Sequence, residues 1–354
     1  MSLQRVAAPE VLQALDRYSA IIDVRSPSEF AEDHLPGAIN WPVLDDEERR
    51  VVGTLYKQVS AFDARKRGAA LVARRIADHI DQWVAPVDKH WKPLVYCWRG
   101  GDRSGTMSWF LDRIGFRTSV IDGGYKAYRQ QIRDDLDHWP ERFQWRVLCG
   151  KTGSGKTRLL HALARQGAQV LDLEGLAVHR GSILGLPPGE TQPSQKMLDS
   201  RIWQALRGFD PARPVYVESE SKKLGQRWLP EALVHRMRAH GRCVLVTMSD
   251  EARLALLLED YDHLHRDPEN FCRLLDGLAE LRGRERVKQW QAQSRAGETA
   301  AVFRDLMHQH YDPGYMSSLG QHFEGLASAR TLLLADGGVT SLDAAARELL
   351  DNEG

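Results

Sequence analysis

Gly150-Lys151-Thr152-Gly153-Ser154-Gly155-Lys156-Thr157 fits the spacing G-x-x-x-x-G-K-[ST] at every fixed position. Before it, Arg146-Val147-Leu148-Cys149 reads as a strand. After it, Thr157 to Arg165 reads as a helix with Leu159, Leu160 and Leu163 on one face, closed by Gly167. Strand, glycine-rich turn and helix in that order gather backbone N–H groups around an anion at a helix N-terminus. The expectation is a diphosphate cradled by residues 150–157, with Lys156 neutralising its charge and the Thr157 hydroxyl able to hold Mg²⁺. What hangs from the phosphates is not written in the loop.

Toward the C-terminus, strands are expected at Gln144–Cys149, Gln169–Leu173, Val215–Glu218 and Cys243–Met248. The segments between them are long enough for crossover helices, so a mostly parallel sheet is expected, with a helical pattern beyond Ser249. Carboxylates stand at two of the strand ends: Asp172 and Glu174, then Glu218 and Glu220. Acids so placed hold Mg²⁺ or position water, or else simply face solvent. His179-Arg180-Gly181-Ser182 lies in a polar stretch that shapes either a pocket or a loop.

Toward the N-terminus a separate alternation appears. A helix is expected over Pro9 to Tyr18, a strand over Ala20 to Val24, a long helix over Phe62 to Val84 and a buried strand over Pro93 to Cys97. A loop running into a helix follows over Gly101 to Ile114, then a strand over Thr118 to Ile121 and a helix to about Leu136. The polar aromatic stretch His138-Trp139-Pro140-Glu141 is the best linker, and 354 residues suit two domains, placed at 1–138 and 139–354. The fold class is therefore α/β in both halves.

Hydrophobic residues at 42% and charged residues at 27% suit a globular protein and argue against disorder or a disulfide miniprotein. No apolar run approaches the ~18 residues of a membrane helix, and Met1 to Glu10 lacks the layout of a signal peptide, so no membrane role and a cytoplasmic location are expected. Lys plus Arg equals Asp plus Glu at 48 each, yet the charge is not evenly spread. Eight basic residues, Arg65, Lys66 and Arg67 among them, fall between Arg49 and Arg75 against Asp63 alone. Six more, Lys222, Lys223, Arg227, Arg236, Arg238 and Arg242, face only Glu231. Such stretches are either an electrostatic footprint for a polyanion or solvated helix faces.

Four cysteines at 97, 149, 243 and 272 are too few and scattered for a disulfide framework or a paired zinc site, so thiol chemistry should rest on one of them. Cys97 ends a strand and is followed by Trp98-Arg99-Gly100-Gly101-Asp102-Arg103-Ser104 and a helix. Curled backbone amides, the helix N-terminus and Arg99 and Arg103 favour an anion in this loop and a thiolate beside it, which makes Cys97 the candidate nucleophile. Arg99, Gly100, Gly101, Arg103 and Ser104 are the candidate anion-binding residues.

On these residues most of positions 1–136 resemble a rhodanese domain. Ile22-Asp23-Val24-Arg25-Ser26-Pro27-Ser28-Glu29-Phe30 and His34-Leu35-Pro36-Gly37-Ala38-Ile39-Asn40 resemble its opening signature, and Gly115-Phe116 with Asp122-Gly123-Gly124-Tyr125 its closing one. The resemblance implies a loop cysteine that carries sulfur or selenium, with Asp23, Arg25 and His34 as scaffold. Common rhodanese loops place Arg five residues after the Cys, whereas Arg103 comes six after Cys97. That spacing is also one of cysteine phosphatases, although Tyr96 stands where those enzymes usually have a histidine. A rhodanese-fold sulfurtransferase or cysteine phosphatase fused to a nucleotide-binding domain is thus the rival reading.

Across both halves the chain resembles the tRNA 2-selenouridine synthase family, a rhodanese-like domain followed by a P-loop NTPase-like domain. Beyond the signatures above, the resemblance rests on Val52-Gly53-Thr54-Leu55-Tyr56-Lys57-Gln58, the Cys-Trp-Arg-Gly-Gly loop, Leu171-Asp172-Leu173-Glu174-Gly175, His179-Arg180-Gly181-Ser182 and Val217-Glu218-Ser219-Glu220-Ser221-Lys222-Lys223. It implies replacement of sulfur by selenium in 2-thiouridine at the wobble position of tRNA, with selenophosphate as donor and an S-geranyl intermediate made from geranyl diphosphate. It also implies no tightly bound cofactor, and a selenophosphate-producing enzyme as a donor partner. Arg65, Lys66, Arg67, Lys222, Lys223 and Arg227 would grip tRNA, and Trp41, Tyr56 or Trp98 would stack on a base or else fill the core.

Overall fold

A computed structural model describes residues 4–352. Residues up to Asp135 together with Ser194–Gln204 form one compact unit, and Leu136–Pro193 with the residues from Ala205 onward form another. Residues 194–204, which a single cut at 138/139 assigns to the second half, pack with the first.

The first unit is built on five parallel strands: β1 (Gln4–Ala7), β2 (Ala20–Asp23), β3 (Ala38–Asn40), β4 (Pro93–Tyr96) and β5 (Ser119–Asp122), in the order β1-β5-β4-β2-β3. The central strand β4 is buried at every position because helices cover both faces of a parallel sheet, which is why Pro93-Leu94-Val95-Tyr96 reads as an unbroken apolar run. Ile22, Val43, Ile76, Val95, Met107 and Leu111 form the core on one face. The long helix runs over Ala61–His79 and ends in a π turn, Ile80–Val84. A further helix, Asp46–Gln58, opens with a capping box in which Asp45 accepts from the Glu48 amide while Glu48 reaches back to the Asp45 amide. Residues 194–204 join this unit through the helix Gln195–Arg207: Arg129 pairs with Asp199 at 2.8 Å, and the Tyr128 hydroxyl donates to Ser200 Oγ at 3.0 Å.

The second unit has its own parallel sheet: β6 (Gln144–Cys149), β7 (Gln169–Leu171), β8 (Pro214–Glu218), β11 (Arg242–Thr247) and β12 (Arg330–Leu333), in the order β12-β11-β6-β8-β7. Two short antiparallel strands, β9 (Lys223–Leu224) and β10 (Arg227–Trp228), form a hairpin after β8. Leu159, Leu160 and Leu163 of the helix Lys156–Arg165 pack with Val246, Leu332 and Ala346. The extension beyond Ser249 is helical around a second core of Phe271, Trp290, Phe303 and Leu306, except that β12 returns to the sheet edge beside β11. Its pattern, exposed except at Leu332, hides it among helices. The carboxyl ends of β6, β7 and β8 share one edge, where open α/β sheets bind ligands.

Candidate functional site

The glycine-rich loop leaves β6 at Cys149 and enters the helix Lys156–Arg165. Gly150 has φ +154, and a Cβ there would lie 2.3 Å from the Val246 carbonyl oxygen, so the backbone passes where no side chain fits. Buried Arg253 holds the loop from behind: its Nε and NH2 donate to the Thr152 carbonyl at 3.0 and 2.8 Å, and its NH2 bonds Asp312 at 2.6 Å. The Lys156 ammonium donates to the carbonyls of Gly150 and Lys151 at 2.8 and 3.1 Å and lies 5.0 Å from the centre of the Tyr315 ring.

The carboxylates sort into two kinds. The Thr157 hydroxyl donates to Glu218 at 2.6 Å and lies 3.3 Å from Glu174, and oxygens of Glu174, Glu218 and Glu220 all fall within 4.8 Å of one another. Burial and the neighbouring negative charge of Glu218 push Glu220 up to about 7, and Glu174 rises for the same two reasons. Burial also raises Glu218, against the pull of Lys156. Glu218 is 1% exposed, and its Oε2 has no hydrogen-bond partner. Three carboxyl groups so close resist ionising together, and a cation relieves them. Asp172 stands apart: it caps the helix Leu173–Ala177 through the Gly175 amide at 2.8 Å and pairs with His161 at 2.8 Å. Although burial opposes it, that His161 bond holds the Asp172 carboxyl below its usual value.

Loop and carboxylates enclose a cavity of about 220 Å³ whose wall also includes Arg180, Tyr261, Tyr311 and Tyr315. Arg180 lies over the Tyr261 ring at 5.0 Å and donates to the Asp260 carbonyl at 2.8 Å, and the Tyr315 hydroxyl lies 2.5 Å from Ser219 Oγ. The tyrosines escape a motif reading because they come from the helical extension. Nothing in their spacing points to the loop.

In the first unit Cys97 follows β4, buried, with the Ser104 hydroxyl donating to its Sγ at 3.1 Å. Gly101 caps the helix Asp102–Ile114, so Cys97 lies on the loop leading to that helix N-terminus. Gly124 has φ +57, and a Cβ there would lie 2.3 Å from the Cys97 carbonyl oxygen and 2.5 Å from the Gly100 amide. The Arg5 guanidinium donates to the Gly100 carbonyl at 3.1 Å, a contact made from β1. Arg99 is exposed. Arg103 turns instead to Glu29, at 2.9 Å, and despite burial it holds the Glu29 carboxyl below the usual range. Arg25 grips Asp23 at 2.6 Å with both side chains fully buried, consistent with a scaffold.

Residues 143–282 match the tRNA 2-selenouridine synthase AAA domain, and residues 7–131 match the rhodanese-like domain. The tRNA 2-selenouridine synthase of Shewanella halifaxensis is 38% identical over 301 residues, covering 84% of this chain and 79% of its own length. The chain belongs to the tRNA 2-selenouridine synthase family. The Shewanella loihica relative of the same name is 34% identical over 345 residues, 89% of this chain and 91% of its own. That of Nitrosomonas europaea is 38% identical over 245 residues, and there the match spans 63% of the relative's length.

Other family-derived expectations in this tRNA 2-selenouridine synthase homologue meet mixed geometry. Arg65, Lys66 and Arg67 are exposed on the helix Ala61–His79, with Lys66 paired to Asp63 at 2.7 Å. Lys222 and Lys223 are exposed, whereas Arg227 is tied to the Pro193 carbonyl. Trp41 lies in the core against His79, Trp98 lies half-buried beside Tyr125, and Tyr56 is exposed. No helix of the described residues is long and apolar enough to cross a membrane.

Proposed function

We propose that this chain replaces the 2-thiouridine sulfur at the wobble position of tRNA by selenium, in two steps served by its two loops. The reading rests on one observation: a family member carries both a cradle for phosphates, backed by Lys156 and three crowded carboxyl groups, and a glycine-lined thiol loop. In the first step the thiocarbonyl sulfur attacks C1 of geranyl diphosphate. A C–S bond forms, the C–O bond breaks, diphosphate leaves, and the N3 proton of the base passes to solvent. The amides of residues 150–157 and Lys156 hold the diphosphate and stabilise its charge as it departs, an electrostatic role that needs no hydrolysis. Alkylation turns a poor leaving group into a thiolate that a selenium nucleophile can displace from C2.

In the second step selenophosphate binds in the Cys97 loop, where the helix N-terminus and Arg99 favour its phosphate. Its selenium attacks C2 and expels geranylthiolate, and cleavage of the P–Se bond by water leaves 2-selenouridine and phosphate. Cys97 attends the selenium in this step. The donor would come from a selenophosphate-producing enzyme, and the reaction belongs in the cytoplasm with its tRNA.

The residues around Thr157 fit a divalent cation: a hydroxyl, three carboxylates and the orphaned Glu218 Oε2 are hard oxygen donors. Thr157 and Glu218, with Glu174 or Glu220, would hold Mg²⁺, which would supply charge neutralisation to a diphosphate. Arg103 engaged by Glu29 does not favour a cysteine phosphatase, which needs that arginine on its phosphoester.

The test is mass spectrometry of nucleosides from 2-thiouridine tRNA incubated with the protein, geranyl diphosphate and selenophosphate, with each donor omitted in turn. Selenouridine that needs both donors supports the reading. Lys156→Ala should then block alkylation, and Cys97→Ala should stop the reaction at the S-geranyl base. An unchanged base beside active controls overturns it.

A further inference from the structure

The two basic stretches are not equivalent in the folded chain. Between Arg49 and Arg75, Arg49 lies 3.7 Å from Glu29, Lys66 is 2.7 Å from Asp63, Arg75 is 2.9 Å from Asp45, and Arg50 pairs with Glu47, so half of the basic residues are paired, mostly to acids that precede the stretch. Between Lys222 and Arg242, none of the six basic side chains makes an ion pair among the described residues. The Nε atoms of Arg236 and Arg238 are buried without a partner, and desolvation pulls Arg238 below its usual value with no carboxylate to offset it. Of the six, Lys222 and Arg238 line one groove, and cationic groups there without ion-pair partners are the arrangement that a polyanion completes.

A second observation says which polyanion. Trp228, on β10, is 50% exposed, and the ammonium groups of Lys222 and Lys223 lie 5.6 and 5.5 Å from its ring centre. It lines a groove of about 640 Å³ together with His235, Arg238 and His322, and with the carboxylates Glu231 and Glu324. An exposed indole with two ammonium groups over its ring suits an unpaired base stacked on the ring, with the neighbouring phosphates drawing the cations outward. A duplex, whose bases are stacked on one another, offers the ring nothing.

The groove also adjoins the phosphate cavity along the chain. Glu218, Glu220 and Ser221 line that cavity, and Lys222 lines the groove. We infer that the loop after β8 and the hairpin β9–β10 form the RNA-binding edge of this unit, with Trp228 stacking on an unpaired nucleotide and Lys222, Lys223 and Arg238 taking the adjoining phosphates. A neighbouring nucleotide is then led toward Glu220 and the cradle. The inference rests on tRNA being the substrate, and it assigns the grip to residues 222–242 over 49–75.

The test measures binding of the full chain to a 2-thiouridine anticodon stem-loop by fluorescence anisotropy across a salt series, beside a blunt RNA duplex of equal length. Trp228→Ala should weaken stem-loop binding about tenfold or more, while Trp228→Phe restores most of it. Lys222→Ala with Lys223→Ala should flatten the dependence of log K on log salt by about 1.4 to 1.8. Arg65→Ala, Lys66→Ala and Arg67→Ala together should change little. Stem-loop binding by the parent chain that Trp228→Ala leaves intact overturns the stacking site, as does an equal loss for stem-loop and duplex. A parent chain that binds neither RNA removes the tRNA reading itself.

Discussion

The Ser104 hydroxyl donates a hydrogen bond to the Cys97 sulfur across 3.1 Å, from the first turn of the helix that follows the loop. A hydrogen bond contributes about 0.5–1.5 kcal/mol net. Ser104→Ala should therefore slow selenium incorporation about 2- to 10-fold while leaving alkylation of the tRNA unchanged. Single-turnover selenation of already alkylated tRNA reads the first, and loss of 2-thiouridine to geranyl diphosphate reads the second.

Gly124 lies against the same loop from the start of the next helix. With φ +57 and no room for a Cβ beside the Cys97 carbonyl, Gly124→Ala should displace the loop without dissolving the sheet. The expected result is a far-ultraviolet circular dichroism spectrum like the parent's, with selenation lost and alkylation kept. Loss of both activities together would mean the damage spreads beyond the loop.

The crowded carboxyl groups predict a pH dependence. Burial and Glu218 raise Glu220 from an unfolded value of about 4.3 to about 7. The folded state holds this proton more tightly than the unfolded one, so its contribution is fully present below the unfolded value and is lost as pH rises through about 7. Urea midpoints measured between these limits should fall with rising pH, and Glu220→Gln should flatten the fall. Mg²⁺ binding at pH 7 should release protons, seen as a calorimetric heat that scales with buffer ionisation enthalpy.

Arg253 is buried between Asp312 and the Thr152 carbonyl. Removing one partner of a buried pair costs about 3–5 kcal/mol. Arg253→Ala should lower the denaturation midpoint accordingly and weaken inorganic diphosphate binding, because the loop loses its rear support. Asp312→Asn, which keeps an acceptor oxygen, should do less of both.

Much of this was legible from spacing and apolar runs. β6 is found where the sequence puts it, at Gln144–Cys149, because its last three residues are an apolar run and the loop that follows is spelled out residue by residue. β1 and β12 were not legible: each buries a single residue, Val6 or Leu332, and each is a strand only because a neighbour pairs with it. Arg103 shows the limit of a motif, since its spacing from Cys97 says nothing of Glu29, which lies 74 residues earlier in the chain. Tyr315 lies 96 residues from Ser219, and only the folded extension brings the two together. The helix Asp46–Gln58 carries its start signal in the sequence, Asp45 and Glu48 at capping-box spacing.

The helix that begins at Gln195 has a consequence for synthesis on the ribosome. Its residues up to Gln204 belong to the first unit, where Asp199 meets Arg129 and Ser200 meets Tyr128. At roughly 5–20 residues per second, translation from Asp135 to Gln204 takes on the order of ten seconds, during which the nascent first unit lacks these partners. By the time they arrive, β6, the glycine-rich loop and β7 have already emerged. The two units therefore mature interleaved in time, and a chain stalled before Ser194 carries the thiol loop on an unfinished support.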